Sequence, residues 1–155
     1  MAERTLKKIR RLDMPTVLLR PAIIGASYKE PMPGWTDTFS AAGGLSLAGG
    51  TGIVNYVRGD GDNIADLVPV DYVSNAIIVA TALEANKPKL TVIHCGTSHA
   101  NPITWYRYMT WAFDYLRTQP FELQAFKPHM RFIPNKKLFE TLFFLRNDLP
   151  VRIYN

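Results

Sequence analysis

One cysteine, Cys95, stands in a chain of 155 residues. It excludes an internal disulfide framework and a cysteine-based zinc knuckle, and it suits a reducing compartment. Long apolar runs are also missing. The best candidates, residues 77–83 and 142–145, fall well short of the roughly 18–20 residues that span a bilayer. The N-terminus is charged but has no apolar segment behind it, so the expectation is no secretory signal. The three histidines, His94, His99 and His129, have a spacing that suits no metal site, and none is expected. What remains is a composition 47% hydrophobic and 20% charged, which is that of a folded domain. A chain of this length can bury roughly 70% of its unfolded surface.

The net charge is +5, but it is not spread evenly. Residues 1–13 carry five basic and two acidic side chains, and residues 127–155 carry six and two. Residues 14–126 carry seven basic and nine acidic side chains, so the body is slightly acidic between two basic ends. No nucleic-acid recognition module and no basic stripe interleaved with aromatics is present, which argues against nucleic acid as a partner. The ends suit an acidic protein surface or anionic lipid.

Residues 2–12 have a helical pattern with Leu6 and Ile9 on one face among basic residues. Pro15 ends it, and residues 16–20 form a continuous apolar, β-branched run, the signature of a parallel strand buried on both faces. Residues 21–34 read as a loop rich in proline and glycine before Trp35. Loops leaving the carboxyl ends of parallel strands are where α/β folds build sites. Asp71 is placed to cap a helix over residues 72–84, whose apolar residues on most sides predict burial. Residues 90–95 predict a second buried strand, residues 102–116 a helix opened by Pro102, and residues 136–145 a last helix. A boundary is expected near Pro120, dividing residues 1–119 from 120–155.

Two stretches carry only part of a known motif. Gly50-Thr51-Gly52 has Asn55 where a dinucleotide fingerprint needs its third glycine, and no Gly-Lys-Ser/Thr follows, so these glycines predict a tight turn. Asp60-Gly61-Asp62 resembles part of a calcium loop, but Asp71 stands where its terminal glutamate belongs, and a solvated turn is expected.

The segments Leu19-Arg20-Pro21-Ala22-Ile23-Ile24-Gly25-Ala26-Ser27-Tyr28-Lys29-Glu30-Pro31, Pro33-Gly34-Trp35-Thr36-Asp37 and Ala65-Asp66-Leu67-Val68-Pro69-Val70-Asp71-Tyr72-Val73 come in the order of one family. They resemble the alcohol-forming fatty acyl-CoA reductases, the male-sterility family. Ile93-His94-Cys95-Gly96-Thr97 and Asn101-Pro102-Ile103-Thr104-Trp105 extend the likeness. The resemblance implies a partial doubly wound, Rossmann-like α/β sheet of the extended short-chain dehydrogenase/reductase type, with a small helical C-terminal extension. On it, residues 1–119 are the C-terminal half of an NADPH-binding reductase domain and residues 120–155 the start of a helical region. It implies NADPH as cofactor and long-chain acyl-CoA as substrate, reduced to a primary alcohol. By carry-over, Pro21, Ala22, Ile23 and Ile24 touch the nicotinamide, and Gly25, Ala26, Ser27 and Trp35 line the acyl or thioester side.

Such enzymes also need a glycine-rich strand–turn–helix to seat the pyrophosphate and a Tyr-x-x-x-Lys pair to protonate the alkoxide. Neither is found: no tyrosine here has a lysine four places on, so no residue is assigned a catalytic role. The expectation is a chain inactive alone, completed by another polypeptide, or else a non-catalytic subunit of a larger assembly. Either way a partner should complete the sheet or cover its apolar face. The setting is expected to be intracellular, with a membrane surface and mitochondria both left open.

Overall fold

The computed structural model describes residues 2–39, 41–120, 122, 124 and 126–154. In chain order the elements are α1 (Ala2–Ile9), β1 (Thr16–Pro21), β2 (Ile23–Gly25), α2 (Ala41–Gly50), β3 (Tyr56–Arg58), β4 (Leu67–Pro69), α3 (Val70–Glu84), β5 (Leu90–Cys95), α4 (Trp105–Thr118), β6 (Arg131–Ile133), α5 (Lys136–Phe143) and α6 (Leu149–Tyr154). A π-helical segment, Phe144–Asp148, joins the last two. The architecture is α/β, and every paired strand is parallel, as in a partial Rossmann-like domain. The chain divides into two compact units, Met1–Asp37 with Asp66–Ala100 and Thr38–Ala65 with Asn101–Asn155.

In the first unit β1 runs beside β5, from Thr16 opposite Leu90 to Pro21 opposite Cys95. β2 runs beside β4, from Ile23 opposite Leu67 to Gly25 opposite Pro69. The change of partner happens within two residues: the Ala22 amide donates to the Cys95 carbonyl at 2.8 Å and the Ile23 amide to the Asp66 carbonyl at 2.9 Å. Residues 21–34 are therefore not all loop, because Pro21 ends β1 and the chain re-enters a ladder as β2. Helix α3 packs on β1, β2, β4 and β5, and the crossover from β4 to β5 runs through it. Val68 is the most buried residue of this unit, with Val73 and Ala80 on the inward side of the helix.

Three burial expectations fail here. Residues 16–19 of β1 are only half-buried, and Arg20 and Pro21 are exposed. β5 has no fully buried residue either, with Val92 and His94 exposed. On α3, Ile77, Ile78, Val79 and Leu83 stand open, with Ile78 67% exposed. A helix apolar on most sides needs cover on two sides, and this chain's sheet supplies one.

The second unit has its core in Met109, Phe113, Leu116, Met130 and Phe132. β3 and β6 pair in parallel, from Tyr56 opposite Arg131 to Arg58 opposite Ile133. Helix α4 starts at Trp105 rather than at Pro102, because the Thr104 side chain accepts from the Arg107 amide and sets the first turn. The glycine-rich stretch also departs from expectation: Gly43, Gly44, Gly49 and Gly50 lie within α2, and Gly52 alone turns the chain, with φ +73°. A Cβ on Gly49 would stand 2.6 Å from Met130 Cε and 2.7 Å from Phe113 Cζ, so close packing is what this glycine permits. Asp60 and Asp62 form the expected turn, the Asp62 amide donating to Asp60 Oδ1 at 3.0 Å. The last helix runs on beyond residue 145; Pro150 has no amide to close a bond one turn back, and the chain widens into the π-helical segment just before it.

Candidate functional site

The loop after β2 is built from its own backbone. Ser27 is buried, its Oγ donates to the Met32 carbonyl at 2.5 Å and accepts the Trp35 amide at 3.1 Å. The Ser27 amide donates to the Trp35 carbonyl and the Gly34 amide to the Ser27 carbonyl, each at 2.9 Å. Gly34, at φ +80°, makes the reversal that brings Trp35 back. The Glu30–Pro31 peptide is cis. The loop is thus a closed ring of hydrogen bonds with Tyr28, Met32 and Trp35 exposed around it.

Two carboxylates flank β4 and hold the neighbouring loops. Asp71, in the first turn of α3, accepts the amides of Tyr28 and Lys29 at 2.9 Å and of Glu30 at 3.2 Å. It does not cap its helix: Pro69 holds the cap position and has no side-chain bond to give. Asp66, just before β4, accepts the amides of Thr97 at 2.9 Å and Ser98 at 3.1 Å, while Thr97 Oγ1 donates to the Leu67 carbonyl. A Cβ on Gly96 would meet Asp66 Oδ2 at 2.7 Å, so this close approach requires glycine. The Thr97 amide, with help from Ser98, holds the Asp66 carboxyl below the ordinary aspartate value against the effect of burial. For Asp71, burial works to raise the carboxyl, but the amides of Tyr28, Lys29 and Glu30 outweigh it and the net shift is downward. The sequence pattern marked Asp71 as a helix cap and gave Asp66 no role. A signal was present nonetheless, since acids on both sides of a short buried strand must find donors.

The residues carried over from the family fall in one region of the first unit. Pro21 and Ala22 line a cleft of about 170 Å³ with Arg20, Asp66, His94, Cys95 and Gly96. Ile23 and Ile24 lie on β2, with Ile24 exposed. Gly25 ends that strand beside open space, a Cβ there meeting nothing within 4 Å. Ala26 is exposed, Ser27 is engaged inside the loop, and Trp35 is 38% exposed at its far end. Arg20 forms a two-point ion pair with Glu3, and its Nη1 lies 3.5 Å from His94 Nε2. No group of three metal-binding side chains occurs among the described residues. No helix among them is long and apolar enough to cross a membrane.

Residues 1–77 match the family model described as "Male sterility protein", an NAD-binding domain. Curated relatives cover more of the chain. It is 33% identical over 142 residues to fatty acyl-CoA reductase 1 of Gallus gallus, covering 90% of this chain and 28% of that protein. The chain belongs to the fatty acyl-CoA reductase family. The rat reductase 1 is 37% identical over 120 residues, 76% of this chain and 23% of that protein. The probable fatty acyl-CoA reductase 5 of Arabidopsis thaliana is 31% identical over 146 residues, 91% of this chain and 29% of that protein. This reductase-family chain therefore spans between a quarter and a third of the length of most of these relatives.

The family's nicotinamide cofactor can be tested against the residues present. Pro21 has no amide, and the Ala22 and Ile23 amides are already bonded to Cys95 and Asp66, so this stretch offers apolar side chains rather than free donors. That suits the nicotinamide ring. Among the described residues nothing comparable suits a pyrophosphate: the glycines of 43–50 lie within α2, with Gly49 against Met130 and Phe113, and not at an open strand-to-helix turn.

Proposed function

We propose that this chain contributes the nicotinamide-facing and acyl-facing elements of an NADPH-dependent fatty acyl-CoA reductase that makes a primary alcohol. The observation that carries the reading is the preformed loop at the carboxyl end of parallel strands, where Ile24, Gly25 and Trp35 border open space. One bound NADPH would supply a hydride to the thioester carbonyl, with release of CoA, and a second NADPH, exchanged for the spent NADP+, would supply a hydride to the resulting aldehyde. Residues 21–24 would lie along the ring edge and fix which face meets the carbonyl. Gly25, Ala26, Ser27 and Trp35 would wall the acyl side and exclude water. Proton delivery to the alkoxide needs a tyrosine–lysine pair, which on this reading comes from residues outside these 155 and so leaves the chain inactive alone. The exposed apolar face of α3 supports a companion that covers it. Residues 1–119 would belong to the reductase region and 120–155 to the start of the helical region, in an intracellular setting.

The test is NADPH-dependent conversion of a long-chain acyl-CoA to alcohol by the chain in its native assembly, with the companion identified by mass. Alcohol formation, with a glycine loop and Tyr-x-x-x-Lys in the companion, supports the reading. An assembly with neither cofactor binding nor those motifs overturns it in favour of a non-catalytic subunit.

A further inference from the structure

Three consecutive amides, those of Tyr28, Lys29 and Glu30, converge on one side chain, the carboxylate of Asp71. That side chain belongs to α3, whereas the amides belong to the tip of the loop. The joint is interior, since Asp71 is 8% and Ser27 5% exposed, and what it carries faces outward: Tyr28, Met32 and Trp35. The ring of Tyr28 also packs edge-on against Tyr72, the residue after Asp71, at a centroid distance of 5.7 Å. Ser27 fixes the loop's internal shape, and Asp71 fixes where that shape sits against the helix. A carboxylate is the group for this task, because its two oxygens can accept all three donors and have no hydrogen to set against them. Its place in the first turn of a helix adds a favourable field.

We propose that Asp71 is a positioning residue for acyl-CoA, holding the 27–35 loop so that Met32 and Trp35 form the apolar wall met by the acyl portion. The part of this inference that concerns the substrate rests on the function proposed above; the part that concerns the loop does not. Asp71→Asn keeps the shape of the side chain but leaves one acceptor oxygen, so its amide group must face either the Tyr28 donor or those of Lys29 and Glu30. Slackening a substrate-positioning element in this way costs on the order of tenfold or more in efficiency.

The experiment compares wild type, Asp71→Asn and Asp71→Glu in the native assembly. Hydrogen–deuterium exchange should speed up about tenfold in residues 27–35 of Asp71→Asn, while residues 90–95 stay within about twofold, since only the amides at the tip lose acceptors. With palmitoyl-CoA as probe, KM should rise about tenfold, with kcat and the KM for NADPH changed less than about threefold. Asp71→Glu keeps both acceptor oxygens and should fall between the two. Unchanged exchange in residues 27–35 of Asp71→Asn overturns the positioning role. Raised exchange without a rise in the palmitoyl-CoA KM overturns the assignment to acyl-CoA. Should Asp71→Asn fail to fold, Asp71→Glu decides: wild-type exchange and KM in that variant, despite a carboxylate displaced by a methylene, overturn the proposal. A wild-type assembly with no reductase activity defeats the functional reading instead, and the exchange comparison still decides the role of Asp71 in the loop.

Discussion

Asp71 Oδ1 accepts the backbone N–H of Tyr28 at 2.9 Å across 43 positions of sequence. Together with the bonds from Asp66 to Thr97 and Ser98, it makes the residues around β4 an anchor for loops on two different strands. The arrangement depends on charge. A protonated carboxyl must orient one oxygen as a donor, and the amides it faces are donors already.

Acid should therefore act first on these loops. Both carboxyls lie below their ordinary value of 3.8 in the folded chain. A depressed carboxyl contributes stability that is present above that value and is lost as pH falls through the folded value. Exchange measured from pH 7 downward through and below 3.8, corrected for intrinsic rates, should show residues 28–30 and 97–98 losing protection before residues 105–118. Simultaneous loss across all three segments would contradict this.

Glycines of one run should respond with opposite signs. Gly43 is exposed in α2, and among the described residues a Cβ there has only the Thr38 carbonyl near it, at 3.8 Å. Gly43→Ala should stabilise by about 0.5–1 kcal/mol through helix propensity. Gly52 has φ +73°, and a Cβ would come within 2.8 Å of the Phe126 carbonyl oxygen. Gly52→Ala should destabilise by at least about 1–2 kcal/mol. Urea unfolding of the two variants checks both signs.

Phe113, at 5% exposure, lies in the core of the second unit, and Phe113→Ala should cost about 3–5 kcal/mol. On α3, Ile78→Lys with Leu83→Lys should leave the far-UV circular dichroism unchanged and reduce self-association of the purified chain. Sedimentation velocity reads this directly, and a wild-type chain already monodisperse as a monomer would refute it.

Gly25 offers a test of the open space beside the loop. Gly25→Val should leave stability unchanged or raise it by up to about 1 kcal/mol, since no described residue stands within 4 Å of a Cβ there and valine suits a strand. If substrate uses that space, palmitoyl-CoA turnover by the assembly should fall while the melting temperature holds or rises. Full turnover would remove Gly25 from the acyl side.

The parts legible in the sequence were those with enough residues to show a period. β1, β5, α3 and α4 each carry an apolar pattern long enough to identify, and the loop at the end of β1 was marked by its prolines and glycines. β2 was hidden because three residues, Ile23–Gly25, show no alternation and follow a proline. α2 was hidden because glycine ordinarily breaks helices, and its reason for being here is the side chains of Phe113 and Met130 on another part of the chain. Asp71 stands two residues further into its helix than the pattern predicts: Pro69 holds the cap position and α3 begins at Val70, so Asp71 lies inside the first turn and its carboxylate faces the loop. Its partners lie 41–43 positions away, so the sequence shows an acid in need of donors but not which donors it finds.

Helix α2 has a consequence for the order of assembly. Four of its ten residues are glycine, each about 1 kcal/mol less favourable than alanine in a helix. Such a segment has little tendency to coil into a helix by itself. It packs on α4, and Ser46 Oγ, which donates to the Ala42 carbonyl at 2.9 Å, accepts the Tyr108 hydroxyl at 3.0 Å. In a nascent chain, residues 41–50 would emerge early and wait unstructured until residues 105–118 arrive to serve as their template.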